Sequence, residues 1–349
     1  MFKDGQKQLK NPVFLIIEEP EAFTHPQLQH IFIQQIKDYI KTLAEKININ
    51  YQLLIISHSP EVAVSAFEMN FQIIIGRSHG GITRFITWDN LGSNNPLSKQ
   101  KLKKLILNYN AELLFADKLI AIEGDSERIL LNSIMRKINP TLLSEKIAII
   151  PVGTNFKGFK DSLADLLFDK ILLITDIDFS EKDTEDNNIY STNKNIQLLF
   201  SSNLDTTIKD HPLNKTLKQE KSFLTKEWNL MPNGNLTNSD NDSISSNFKI
   251  VTEGYSNEFK FWPRTLESAM VTASHQNFDL YKKNELLRND VKVSLDKNPY
   301  LLNDIEGKLL RSTVKKADFA LNTLDFINNK TFRIPQYLKK GLEWFGNND

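Results

Sequence analysis

The sequence has no cysteine in 349 residues, which excludes a disulfide framework and any thiolate metal site. Histidine is scarce too: six residues, scattered, so an imidazole-built zinc cluster is not expected. An excess of charge of either sign is also lacking, with 43 basic and 43 acidic residues. That balance neither favours nor excludes a polyanionic partner, because one groove can be basic and another acidic. Long apolar runs are missing. The polar N-terminus leads only into Val13–Ile17, too short for a signal-peptide core or a membrane span. The cytoplasm is the expected compartment, and no membrane partner is expected.

What is present fits a soluble globular chain: 40% apolar and 25% charged residues, with length enough for two cores. The runs 13–17 (VFLII) and 51–56 (YQLLII) are short, β-branched and followed by polar residues, as strands leading into a site are. Between them Pro26 opens a helical pattern through Leu28, Ile31, Phe32, Ile36, Tyr39, Ile40 and Leu43. This strand–helix–strand unit belongs to a parallel sheet. Two more short strands are expected over 71–75 and 82–88, then a lysine-rich helical linker. A second series follows, with strands 118–123, 146–152 and 170–175 separated by helices at about 126–137 and 157–168. The stretch 181–250 is rich in Asn, Ser, Thr and Asp and reads as a mobile insertion with little to bury. Helical patterns resume over 264–290 and 308–328.

Two sets of motifs carry chemistry. The first is Glu18-Glu19-Pro20-Glu21 with Thr24-His25-Pro26, and, one strand on, Ser57-His58-Ser59-Pro60. These resemble the Walker B, D-loop and switch-histidine elements of ABC-type ATPases. A buried strand is expected to end at Glu18, suited to magnesium, with Glu19 placed to orient water and His58 to reach a γ-phosphate. No G-x-x-x-x-G-K-[ST] occurs, and Gly80-Gly81 has no lysine in register. The segment is therefore expected to be the carboxyl-terminal half of such a head, and ATP a ligand only if the missing amino-terminal half is supplied.

The second set is Glu123-Gly124 after the apolar 119–122, and Asp176-Ile177-Asp178 after 170–175, with a Val152-Gly153 turn between. Carboxylates gathered at one sheet edge repel one another unless a hard cation lies among them, and oxygen donors suit Mg²⁺ or Mn²⁺. The pattern resembles a TOPRIM domain. With an ATPase segment before it, the chain is similar to the OLD (overcoming lysogenization defect) family. That resemblance implies metal ligands at Glu123, Glu127, Asp176, Asp178 and, through Arg264-Thr265-Leu266-Glu267, at Glu267. It also implies a transition-state lysine at Lys316 or its neighbour Lys315, and catalytic roles for Glu123 and Asp176. The implied activity is metal-dependent endonucleolytic cleavage of DNA. A homodimer through the ATPase head and a helicase-like or other defence partner are the implied associations. A catalytically inactive ATPase–TOPRIM remnant serving as a dimerising scaffold is the alternative.

The expected architecture is α/β. A partial ABC-ATPase parallel sheet (1–96) and a helical linker (97–116) precede a Rossmann-like TOPRIM parallel sheet with a helical C-terminal region (117–349).

Overall fold

The computed structural model describes residues 13–79, 82–92, 95–108, 110–178, 191–196, 225–232, 234–238, 246–259, 263–288, 310 and 313–347. Strands β1 (Val13–Glu18) and β2 (Tyr51–Ile56) pair in parallel, with Glu18 opposite Ile56, and helix α1 (Pro26–Ile47) crosses between them. Proline opens α1, and Asn48 closes it at φ 53, where a left-handed residue can return its N–H to the last turn. Ile33, Ile40 and Ala44 of α1 are buried, and the helix packs on α2 (Pro60–Glu68).

β1 departs from expectation. A parallel strand is normally covered on both faces, yet Phe14 and Ile16 are 66% and 57% exposed on one face, and Val13 and Leu15 are 41% and 38% exposed on the other. Among the described residues only β2 pairs with β1. The buried strand expected to end at Glu18 is therefore an open one.

Strands β3 (Ile74–His79) and β4 (Ile82–Thr87) form a separate antiparallel pair. β3 starts later than the apolar run 71–75 suggested. Asn70 is left-handed at φ 54 and Phe71 N–H donates to Ala66 O, so the chain is still leaving α2 at that point. From β3 the buried Arg77 reaches Leu113 O and Ala116 O and lies over the Phe168 ring at 4.7 Å. Burial pulls its pKa down to about 10 against the opposing pull of Asp117 and Asp169. Helix α3 (Pro96–Leu107) buries Leu102 and Ile106 in the same interior.

The main sheet has six strands in the order β6-β5-β7-β10-β8-β9. β5 (Lys118–Ile122), β6 (Ile147–Pro151), β7 (Lys170–Ile174) and β10 (Phe248–Val251) are parallel; β8 (Thr225–Leu230) and β9 (Leu236–Asn238) continue it antiparallel. Helices α4 (Asp125–Ile138) and α5 (Lys157–Asp165) link the first three strands. Side chains alternate between two cores, as the pleat requires. Leu119, Ala121, Leu173 and Phe248 face Phe67, Trp88, Leu102 and Phe156. Ile120, Ile122, Leu172 and Val251 face Leu130, Ile134 and the C-terminal helices α6 (Leu266–Val271), α7 (His275–Lys283), α8 (Lys316–Leu324) and α9 (Gln336–Gly346). Phe67, Ile75 and Trp88 from the first half thus share a core with the main sheet.

The reading of 181–250 as an insertion with little to bury is corrected where that range is described. Trp228, Leu230, Phe248 and Ile250 are buried, and Phe248 stacks on Phe156 at 5.1 Å and on Trp228 at 5.6 Å. Between β8 and β9, Gly234 N–H donates to Met231 O at 2.8 Å and Gly234 sits at φ 79. The remainder of that range (181–190, 197–224, 233 and 239–245) lies outside the described residues, as do residues 1–12, Gly80-Gly81, 179–180, 289–309 and 311–312. The helical pattern over 264–290 is split: Ser274 caps α7 through Asn277 N–H, so α6 and α7 are separate helices.

Candidate metal centre

β5 ends at Ile122, and the chain turns through Glu123-Gly124 into α4. Gly124 is extended (φ −151), so its backbone angles do not themselves demand glycine; its N–H donates to Glu127 Oε2 at 3.1 Å, a capping bond. The Gly153 turn after β6 is different, at φ 58, and there glycine is the natural occupant. β7 ends at Ile174 and is followed by Thr175-Asp176-Ile177-Asp178, with Asp178 at φ 37, a strained angle for a residue with a side chain.

These turns bring Glu123, Asp176 and Asp178 together. One carboxylate oxygen from each lies within 4.8 Å of the others. Glu127 and Glu267, both buried, stand outside that tight trio but within its field. Ser126 Oγ donates to Glu267 Oε1 at 2.9 Å, and Lys316 Nζ lies 3.5 Å from Glu267 Oε2. Of the two adjacent lysines, Lys316 faces the carboxylates, while Lys315 is the residue preceding α8 and its N–H donates to Asp318 Oδ2.

The electrostatics follow from burial and crowding. Burial pushes Glu123 and Asp178 up. Burial lifts Glu127 to about 7, the charges of Glu267 and Glu123 adding to it. Asp176 is pushed well above the carboxylate range by burial and then by Glu127. Burial pulls Lys316 down, but Glu267 and the other carboxylates outweigh it and hold the ammonium above its ordinary range. A set of carboxylates this crowded, all oxygen donors and with one facing ammonium, fits a hard divalent cation.

Two kinds of residue here escaped the sequence reading. Glu253, fully buried after β10, accepts Ile177 N–H at 2.8 Å, accepts Tyr337 O–H at 3.4 Å and hydrogen-bonds the Asp176 side chain. Burial and then the charge of Asp176 push its carboxyl far up. Its signal was a carboxylate ending an apolar strand, the same signal as Glu123. The other is the segment 191–196, whose Asn193 and Asn195 are buried against the centre. No local pattern announces them.

At the end of the β1–β2 pair, Glu19 and His58 are also brought together, with Glu18 opposite Ile56 in the strand register. His58 N–H donates to Glu21 Oε1 at 2.7 Å, and His58 Nε2 lies 3.9 Å from Glu19 Oε1. Both of those side chains are exposed, so this second cluster is open where the first is buried.

Residues 114–178, which carry the Glu-Gly turn after one parallel strand and the Asp-x-Asp after its neighbour, match the OLD (overcoming lysogenization defect) protein-like TOPRIM domain. Residues 1–63 match an AAA ATPase domain. The chain thus carries segments that match both an AAA ATPase domain and an OLD-like TOPRIM domain. It is 27% identical, over 99% of its length and 50% of the relative's, to the endonuclease GajA of Bacillus cereus (strain HuB5-5). It is 26% identical to the Old nuclease of Escherichia phage P2, over 51% of this chain and 30% of that one. GajA of Bacillus cereus (strain VD045) is 28% identical over 61% of this chain. The chain spans half or less of the length of these relatives. Among the described residues, no helix is long and apolar enough to cross a membrane.

Proposed function

We propose that residues 117–349 form the nuclease domain of a Mg²⁺- or Mn²⁺-dependent DNA endonuclease, joined through the helical linker of 97–116 to an ATPase portion over 1–96. The observation that carries this is the gathering of Glu123, Asp176 and Asp178 within 4.8 Å, with Glu127, Glu267 and Lys316 beside them.

Glu123, Glu127, Asp176, Asp178 and Glu267 would hold the cations, which when bound supply activation of water and charge neutralisation at a phosphodiester. The chain's own contribution is orientation. Leu266 N–H donates to Asp176 Oδ1 at 3.1 Å, and Glu253 braces Asp176 from beneath. Lys316 keeps its proton and faces the same edge, where its charge opposes the negative charge that builds on phosphate oxygens in the transition state. ATP handling at Glu18, Glu19 and His58 requires a phosphate-binding loop, which does not occur within these 349 residues. A homodimer formed through the ATPase portion, a helicase-like or other defence partner and a cytoplasmic setting complete this reading. The exposed apolar strand β1 favours one element of it, a polypeptide partner at the ATPase portion.

Asp176→Ala is expected to abolish metal-dependent nicking of supercoiled plasmid by the assembled protein while circular dichroism and thermal melting remain those of a folded chain. Undiminished nicking by the folded variant rules the assignment out and leaves the scaffold reading standing.

A further inference from the structure

The proposed metal centre is closed on one side by a strap that the sequence places in a polar, Asn-rich stretch. Asn193 is 1% exposed, and its Nδ2 donates to Glu123 Oε1, to Thr175 Oγ1 at 3.1 Å and to Asp176 O at 2.7 Å. Glu123 Oε1 also accepts Thr175 O–H and Asp176 N–H, the latter at 3.1 Å. Three donors from three residues thus converge on one oxygen of Glu123. They fix the rotation of the carboxylate about its last torsion and direct its second oxygen away from themselves.

The strap is itself anchored. Asn193 Oδ1 accepts Asn195 N–H at 2.9 Å, and Asn193 N–H donates to Ser191 Oγ at 3.0 Å, while the Ser191 hydroxyl donates to Ile177 O. Asn195 Nδ2 donates to Gly153 O at 2.9 Å and to Thr175 Oγ1 at 3.0 Å, and its Oδ1 accepts Phe156 N–H at 2.9 Å. Ile196 is fully buried in the first core. One short segment therefore ties together the ends of β5, β6 and β7, of which β5 and β7 lead into the carboxylates.

We propose, resting on the metal-centre reading above, that Asn193 is a positioning residue for Glu123, held in place by Ser191 and Asn195. Chemistry favours an amide in this place. A lysine or arginine would supply the same donors but also a charge that neutralises Glu123 and competes with the cation. An amide orients the carboxylate and leaves its charge intact. Ligand-orienting hydrogen bonds of this kind typically change metal affinity about 10- to 100-fold when removed.

The test is Mn²⁺ binding to the full chain, followed by the electron paramagnetic resonance signal of free Mn²⁺, with thermal melting of the metal-free proteins alongside. Asn193→Ala is expected to weaken Mn²⁺ binding about tenfold or more. Ile196→Val, which loosens the same strap from its apolar side, is expected to leave affinity within about twofold, because it removes no donor to a carboxylate. Wild-type affinity in Asn193→Ala, or an equal loss in Ile196→Val, overturns the proposal and makes the strap purely structural. If Asn193→Ala does not fold, Asn195→Ala decides: it cuts the anchors to Gly153 and Phe156 behind Asn193, so weaker Mn²⁺ binding supports the proposal and unchanged binding overturns it. Asp176→Ala separates the two levels. Loss of Mn²⁺ binding there with wild-type binding in Asn193→Ala sinks only this inference; wild-type binding in Asp176→Ala sinks the metal centre with it.

Discussion

The crowding of carboxylates at the sheet edge has a measurable consequence for the metal-free protein. Glu127 is 8% exposed, and its carboxyl is lifted from an ordinary 4.5 to about 7. The folded form holds this proton more tightly than the unfolded chain does. The stability that follows is fully present below pH 4.5 and is lost as pH rises through about 7, the reverse of a salt-bridged carboxylate. A displacement of that size corresponds to about 3 kcal/mol. Glu127→Gln removes the ionisation and keeps an oxygen to accept Gly124 N–H. Chemical denaturation of the full chain in the presence of a chelator, at about pH 5 and about pH 8, reads the effect. Wild type is expected to lose about 3 kcal/mol relative to Glu127→Gln between those two conditions. Saturating Mg²⁺ at the higher pH is expected to stabilise wild type by relieving the repulsion. Identical pH dependence in the two proteins would refute the reasoning.

Two further outcomes test the centre and the fold separately. Lys316→Met is expected to slow metal-dependent nicking about a hundredfold at saturating metal, with Mn²⁺ affinity little changed, as for a group that acts on developing charge; an equal collapse of Mn²⁺ binding would make the lysine structural. Phe248→Ala removes the ring stacked between Phe156 and Trp228 and is expected to cost about 3–5 kcal/mol in a denaturation experiment. A negligible cost would contradict the burial of β10 in the sheet.

The features legible in the sequence are those written locally. β5 and β7 are apolar runs with both faces buried and β6 is a short apolar run with one face buried, so their existence needs no knowledge of the fold, and each is followed by a short turn at the sheet edge. β8 and β9 were not legible. TKEWNL and LTN carry few apolar side chains, and their place depends on antiparallel pairing with β10, which no local pattern encodes. Asn193 and Asn195 were invisible for the same reason, since an asparagine in a polar stretch becomes a buried donor only when the chain folds back over Thr175. Lys316 and Lys315 could not be separated by spacing alone. The phase of the helix start separates them, turning one toward Glu267 and leaving the other before the first turn.

The openness of β1 also bears on how the molecule's stability is distributed. β5 and β7 lie at the centre of two cores, whereas β1 has its apolar side chains in water and, among the described residues, only β2 beside it. Local opening of β1 therefore exposes little that is not already exposed, and its amides are expected to exchange with solvent much faster than those of β5 and β7. A polypeptide that pairs along β1 would gain the burial that the strand lacks and slow that exchange. The N-terminal region can thus report an assembly event by hydrogen exchange, with little change required at the carboxylate edge.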